Sequence, residues 1–182
     1  AFGASGGRTD RSGMKRRGLL SARDPGAFEN VKTLLDLLRG SERLEPVVAA
    51  SGVALEQLER AGCRPLAFTV GENGQCAVNH REREELLRKV DDLLESLQPQ
   101  LAITSISSFG VGIDEALIRR AACPVLTVQD FWGDANFDFG SPPRYLLVLD
   151  QDAADISRRK LPDAPVKVVG GLKYAAYAQL DI

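Results

Sequence analysis

The chain has 182 residues, 44% hydrophobic and 26% charged, with 23 basic against 25 acidic residues and a net charge of −2. That size and composition suit one globular domain with a sizeable core, and exclude a wholly disordered chain, a collagen-like rod and a disulfide miniprotein. The near balance of charge argues against a nucleic-acid partner, and no apolar run approaches the length of a membrane-spanning helix.

Residues 1–16 read as a polar, Gly-rich tail ahead of a single domain over 17–182. The tail carries one large apolar residue before Met14, Phe2, so ordering it requires a receiving surface. A second copy of the chain is the expected one, which predicts a homo-oligomer. Gly3-Ala4-Ser5-Gly6-Gly7 fits the GxSxG pattern but lacks the strand and helix that a nucleophile elbow needs. Lys15-Arg16-Arg17 is followed by no long apolar stretch, so no secretory leader is expected. Cys63, Cys76 and Cys123 form no CxxC pair, which signals neither a zinc site nor a redox pair and points to a reducing, cytoplasmic compartment. His80 is the sole histidine. No metal and no cofactor are expected.

From residue 17 strands and helices alternate. Gly18–Ala22 is a short apolar strand ending in Arg23-Asp24-Pro25-Gly26. Phe28, Val31, Leu34, Leu35 and Leu38 then recur at helical spacing up to Gly40. Pro46–Ala50 is a second strand, and Leu55 and Leu58 mark a short helix stopping at Gly62. Pro65–Val70 is a third strand. The next helix lines one face with Leu86, Leu87, Val90, Leu93, Leu94 and Leu97 and ends at Pro99. Leu101–Ile106 is the fourth strand, Ser107–Gly112 a loop, and Ile113, Leu117 and Ile118 a helix. Pro124–Val128 and Tyr145–Leu149 are strands five and six, separated by a long aromatic and acidic loop. Asp152 is the expected N-cap of the following helix. Val166–Val169 is the seventh strand, and Gly170-Gly171 leads into a last helix, Leu172–Leu180. This order predicts an α/β, doubly wound, Rossmann-like domain with a mostly parallel sheet of about seven strands. The runs LAITSI, PVLTV and YLLVL are mainly apolar without strict alternation, as strands covered on both faces are.

Ligands of such sheets bind beyond the carboxyl ends of the strands, near the point where strand order reverses. Four loops qualify. In the first, Arg23 and Gly26 are candidate substrate contacts. Asp24 either caps the helix or faces a ligand hydroxyl as a base, and the two roles are compatible. In the second, Ser107, Ser108, Gly110 and Gly112 make a Gly/Ser-rich turn whose hydroxyls and amides suit a phosphate or a sugar. It departs from a full dinucleotide fingerprint, because Glu115 stands where a third glycine would. A merely tight connection is the plainer reading. In the third, Gln129 to Asn136, Asp130 and Trp132 suit a polar ring substrate and Asn136 is a further contact; alternatively, Trp132 only covers the sheet edge. Gly171 belongs to the fourth.

LLSARDPGAFENVKTLLDLL resembles the first strand and helix of glycosyltransferases with the two-domain GT-B architecture. ITSISSFGVGIDEALIRRA leads to the Asp130-Phe131-Trp132 loop, then YLLVLDQDAAD and VKVVGGLKYAAY, in the order of elements seen in the N-terminal half of predicted glycosyltransferases. The resemblance covers roughly residues 17–178. It implies an acceptor-binding domain, with Asp24 or Asp130 deprotonating an acceptor hydroxyl and Asp130 and Trp132 lining the cleft. It also implies that a nucleotide-sugar donor binds a second, C-terminal domain, supplied by a longer polypeptide or a partner subunit. The expected activity is transfer of a sugar from a nucleotide sugar to a hydroxylated small-molecule acceptor, and none by the isolated chain. The alternatives are a non-catalytic scaffold of the same fold, or a small nucleotide- or phosphosugar-binding enzyme.

Overall fold

The structure is a computed structural model that describes residues 15–106, 110–132, 136, 139 and 141–179. The tail with Phe2, the GxSxG match, and Ser107 and Ser108 lie outside the described residues.

Seven strands form one sheet: β1 (Arg16–Ala22), β2 (Leu44–Ala50), β3 (Leu66–Ala67), β4 (Leu101–Ser105), β5 (Val125–Val128), β6 (Tyr145–Val148) and β7 (Val166–Val168). Their order is β3-β2-β1-β4-β5-β6-β7 and every pairing is parallel. The helices are α1 (Pro25–Leu38), α2 (Gly52–Arg60), α3 (His80–Leu97), α4 (Ile113–Arg120) and α5 (Gln151–Lys160), with a 3-10 helix over Leu172–Gln179 in place of the expected α-helix. This is an α/β Rossmann-like fold.

Strand side chains alternate between faces, so neighbours on one strand enter different cores. Leu20 packs with Val31 of α1 and Ala54 and Leu58 of α2. Leu19, one residue earlier, packs with Leu86 and Val90 of α3 and Ile113 and Leu117 of α4. Both leucines are fully buried. The double cover explains why adjacent Leu19 and Leu20 are both apolar rather than alternating with polar residues, and why parallel strands joined by crossovers are the stable arrangement.

Several element ends are set by caps. Asn79 caps α3, its side chain accepting from the Glu82 N–H at 2.9 Å, while Glu82 Oε2 accepts from the Val78 N–H at 2.7 Å. The helix closes at Gln98, in the left-handed region at φ 45°, before Pro99. At α5 the cap is Asp150, accepting from the Ala153 N–H at 2.8 Å. Asp152, the expected cap, stands in the first turn instead, because β6 ends at Val148 and the helix opens directly behind it. β3 is also shorter than its apolar run: only Leu66 and Ala67 pair with β2. Phe68 still donates its N–H to the Ala50 carbonyl at 2.8 Å, but it and Val70 lie past the paired residues and are buried beside α3.

Candidate functional site

Strand order reverses between β1 and β4, so the loops leaving these two strands diverge to opposite faces of the sheet, the place at the carboxyl edge where folds of this kind form a ligand crevice. The loop after β5 is the next neighbour.

Asp24 follows β1 and caps α1, its Oδ1 accepting from the Ala27 N–H at 2.8 Å. Pro25 at the first helical position has no N–H to satisfy. Gly26 then comes so close to the β5 loop that a Cβ there would overlap the Asp130 carboxylate, and Asp24 Oδ1 is 3.5 Å from the same point. The missing side chain of Gly26 therefore lets two carboxylates from distant loops converge over the start of α1. Asp130 Oδ1 is buried without a hydrogen-bond partner among the described residues. Burial pushes the Asp130 carboxyl above the ordinary aspartate range, and the nearby Asp24 charge raises it further, with Lys173 opposing in part. Two carboxylates in unequal surroundings, one easier to protonate, are the groups an acid–base step at a hydroxyl requires.

Arg23 precedes Asp24 but points inward. Its side chain is 4% exposed, with Nη2 3.2 Å from Glu115 Oε1 and Nε 3.8 Å from Asp114 Oδ2. Ser21 Oγ and the Ser105 N–H donate to Asp114 Oδ1, and the Gly112 N–H donates to Glu115 Oε2 at 2.8 Å. One guanidinium thus faces two carboxylates behind the crevice. Burial outweighs the Arg23 charge and raises both acids; Glu115, also repelled by Asp114, is pushed up to about 7. Arg23, expected as a ligand contact, is placed here as a buried strut. Asp114 and Glu115 were not singled out in the sequence, where they look like ordinary acidic residues opening a helix. Their distance of some ninety residues from Arg23 hides the cluster.

The Gly110 carbonyl ties three loops together. It accepts from Arg23 Nη2 at 3.0 Å and from Asn136 Nδ2 at 2.7 Å. Gly110, at φ 66°, lies against Cys76, and a Cβ on Gly112 would meet Arg23 Cδ at 2.8 Å. These glycines let the β4 loop close onto β1 and onto the segment around Cys76. Gly171 makes a similar close approach to Tyr174, under the 3-10 helix. Trp132 is 61% exposed, and its indole N–H donates to Asp150 at 2.9 Å, which turns the ring toward α5.

Asp24, Gly26 and Asp130 are therefore brought together. Arg23, Gly110, Gly112 and Asn136 support them from behind, and Trp132 and Gly171 stand apart.

No family model and no curated protein matches the sequence. Solved structures match in fold. A UDP complex of S. aureus MnaA aligns at TM-score 0.61 and 11% identity over 91% of this chain and 47% of its own. The UDP-GlcNAc 2-epimerase of Methanocaldococcus jannaschii aligns at TM-score 0.60 and 14% identity, over 91% and 48%. A glycosyltransferase of Rickettsia africae ESF-5 aligns at 0.58 and 9%, over 86% and 43%. The fold is GT-B-like, and the chain spans about half the length of the solved chains it matches. Among the described residues no helix is long and apolar enough to cross a membrane.

Proposed function

We propose that this chain is the acceptor-binding half of a two-part enzyme that transfers a sugar from a nucleotide sugar to a hydroxyl. The observation that carries the reading is the convergence of Asp130 and Asp24 across Gly26 at the switch point of the sheet. Asp130 accepts the proton of the acceptor hydroxyl as that oxygen bonds to the sugar and the nucleotide leaves with the electrons of the broken bond. The Asp24 charge raises the proton affinity of this base. The donor is held by a second Rossmann-like half, in a longer polypeptide or a partner subunit. The fold likeness to a glycosyltransferase and to proteins named for UDP-GlcNAc supports a nucleotide-sugar substrate.

The several epimerases among those structures favour a second reading, in which the same carboxylates move a proton within the bound sugar. Product analysis separates the two: transfer yields a glycoside and free nucleotide, epimerisation an isomeric nucleotide sugar.

The test is an amide NMR titration of the chain with UDP-GlcNAc and, separately, a simple glycoside acceptor. Shifts at Gly26, Ala27, Gly112 and Asp130 are expected with the acceptor glycoside, shifts with UDP-GlcNAc alone would favour the second reading, and their absence with both ligands would sink the cleft assignment. The chain alone is expected to release no UDP in the presence of acceptor; steady turnover would overturn the half-enzyme reading. In the assembled enzyme, Asp130→Asn is expected to lower turnover by about 10²- to 10⁴-fold.

A further inference from the structure

Trp132 lies two residues beyond Asp130, yet it serves a different place. Its N–H donates to both oxygens of Asp150, at 3.1 and 2.9 Å, and the same carboxylate caps α5 through the Ala153 N–H. The indole is thus fixed in orientation at a helix start while most of its surface faces solvent. In front of it is an open cavity of about 460 Å³, lined by Trp132, Ile156, Asp152, Asp155 and Arg159. None of the cleft residues Asp24, Gly26 or Asp130 lines it.

The geometry points to this cavity as a second subsite for a neutral pyranose ring, so that the acceptor handled by the Asp24–Asp130 cleft is an oligosaccharide rather than a single sugar. The inference rests on the sugar-acceptor reading above. An aromatic face carries negative potential and attracts the polarised C–H face of a pyranose. Ile156 extends the apolar floor, while Asp152 and Asp155 accept from ring hydroxyls and Arg159 donates to them. Asp155 is itself oriented by the Gln151 side chain at 2.6 Å and Arg158 at 3.1 Å. Three carboxylates, Asp152 and Asp155 on the rim and Asp150 at the indole edge, against the guanidinia of Arg158 and Arg159 leave the site net negative and disfavour a phosphate or uronate. The short chain distance from Asp130 to Trp132 places the two sites within reach of one oligosaccharide.

Trp132 is the sole tryptophan, so the emission of the intact chain reports on this site alone. Titration with methyl glucoside, chitotriose and glucuronic acid is expected to give a saturable emission change with the two neutral ligands, and binding weaker by at least about tenfold with the uronate. In Trp132→Ala the chitotriose-induced amide shifts at Asp152, Asp155 and Ile156 should vanish, while the shifts that a simple glycoside acceptor induces at Gly26 and Asp130 persist. Trp132→Phe keeps a ring without the N–H, and should weaken binding without abolishing it. Silence toward both neutral sugars would overturn the subsite, as would equal binding of the uronate. So would an emission change that follows protein concentration, which would mark a contact between copies. Cleft shifts with a silent Trp132 would remove the subsite and leave the proposed function standing. The reverse pattern would remove the cleft assignment instead.

Discussion

Arg23 and Asp24 are adjacent and meet opposite fates. Arg23 turns inward among Asp114, Glu115 and the Gly110 carbonyl and is almost fully buried. Asp24 turns outward, caps α1 and stands beside Asp130. Consecutive side chains at a strand end point in opposite directions, so one step of the chain separates a charge buried behind the sheet edge from a carboxylate at that edge. Both regions hold carboxylates of raised proton affinity, for different reasons. In the buried cluster two acids share one guanidinium away from water. At the cleft one acid is partly buried and faces a second negative charge. A perturbed carboxyl alone therefore does not mark the site; convergence on an open crevice does.

The sharpest way to break the comparison is to remove the buried cation. Arg23→Met leaves Asp114 and Glu115 facing each other unpaired, and is expected to cost about 3–5 kcal/mol of stability, read by urea denaturation. A loss below 1 kcal/mol, roughly the worth of an exposed ion pair, would mean that the cluster is wetter than its burial implies.

Glu115 sharpens the contrast through pH. Its carboxyl sits near 7 in the fold against an ordinary 4.5. The folded state binds this proton more tightly than the unfolded chain does. The stabilisation is complete below pH 4.5 and is lost as pH rises to about 7, by on the order of 3 kcal/mol. Glu115→Gln should flatten that part of the stability–pH curve; an unchanged slope would assign it to other groups.

Gly26→Ala attacks the cleft instead. The added methyl overlaps the Asp130 carboxylate and should displace it toward water. The expected cost is about 1–3 kcal/mol, together with a fall of the Asp130 carboxyl toward the normal range, followed by carboxyl-carbon NMR. Asp24→Asn is the mildest change. It keeps a helix-capping oxygen and removes the charge that helps raise Asp130, so Asp130 should titrate at lower pH, with melting temperature nearly unchanged. An upward move would contradict the like-charge argument.

The parallel α/β architecture was legible in the sequence, which carries mainly apolar, non-alternating runs in β4, β5 and β6, as strands buried on both faces need. The sequence also determined the Asp24 cap, since a helix start with Asp before Pro is a local event within a few residues. The carboxyl-edge loops were legible for the same reason: they follow from strand and helix order alone. Which residues of those loops meet depends on packing between distant segments. The convergence of Asp130 on Gly26, the burial of Arg23 against Asp114 and Glu115, and the turning of Trp132 to Asp150 all join segments far apart in the chain. The choice of Asp150 over Asp152 as cap, and the departure of Phe68 and Val70 from β3, were likewise settled by where neighbouring strands end. Local pattern records what each residue prefers, and packing determines which partner it meets.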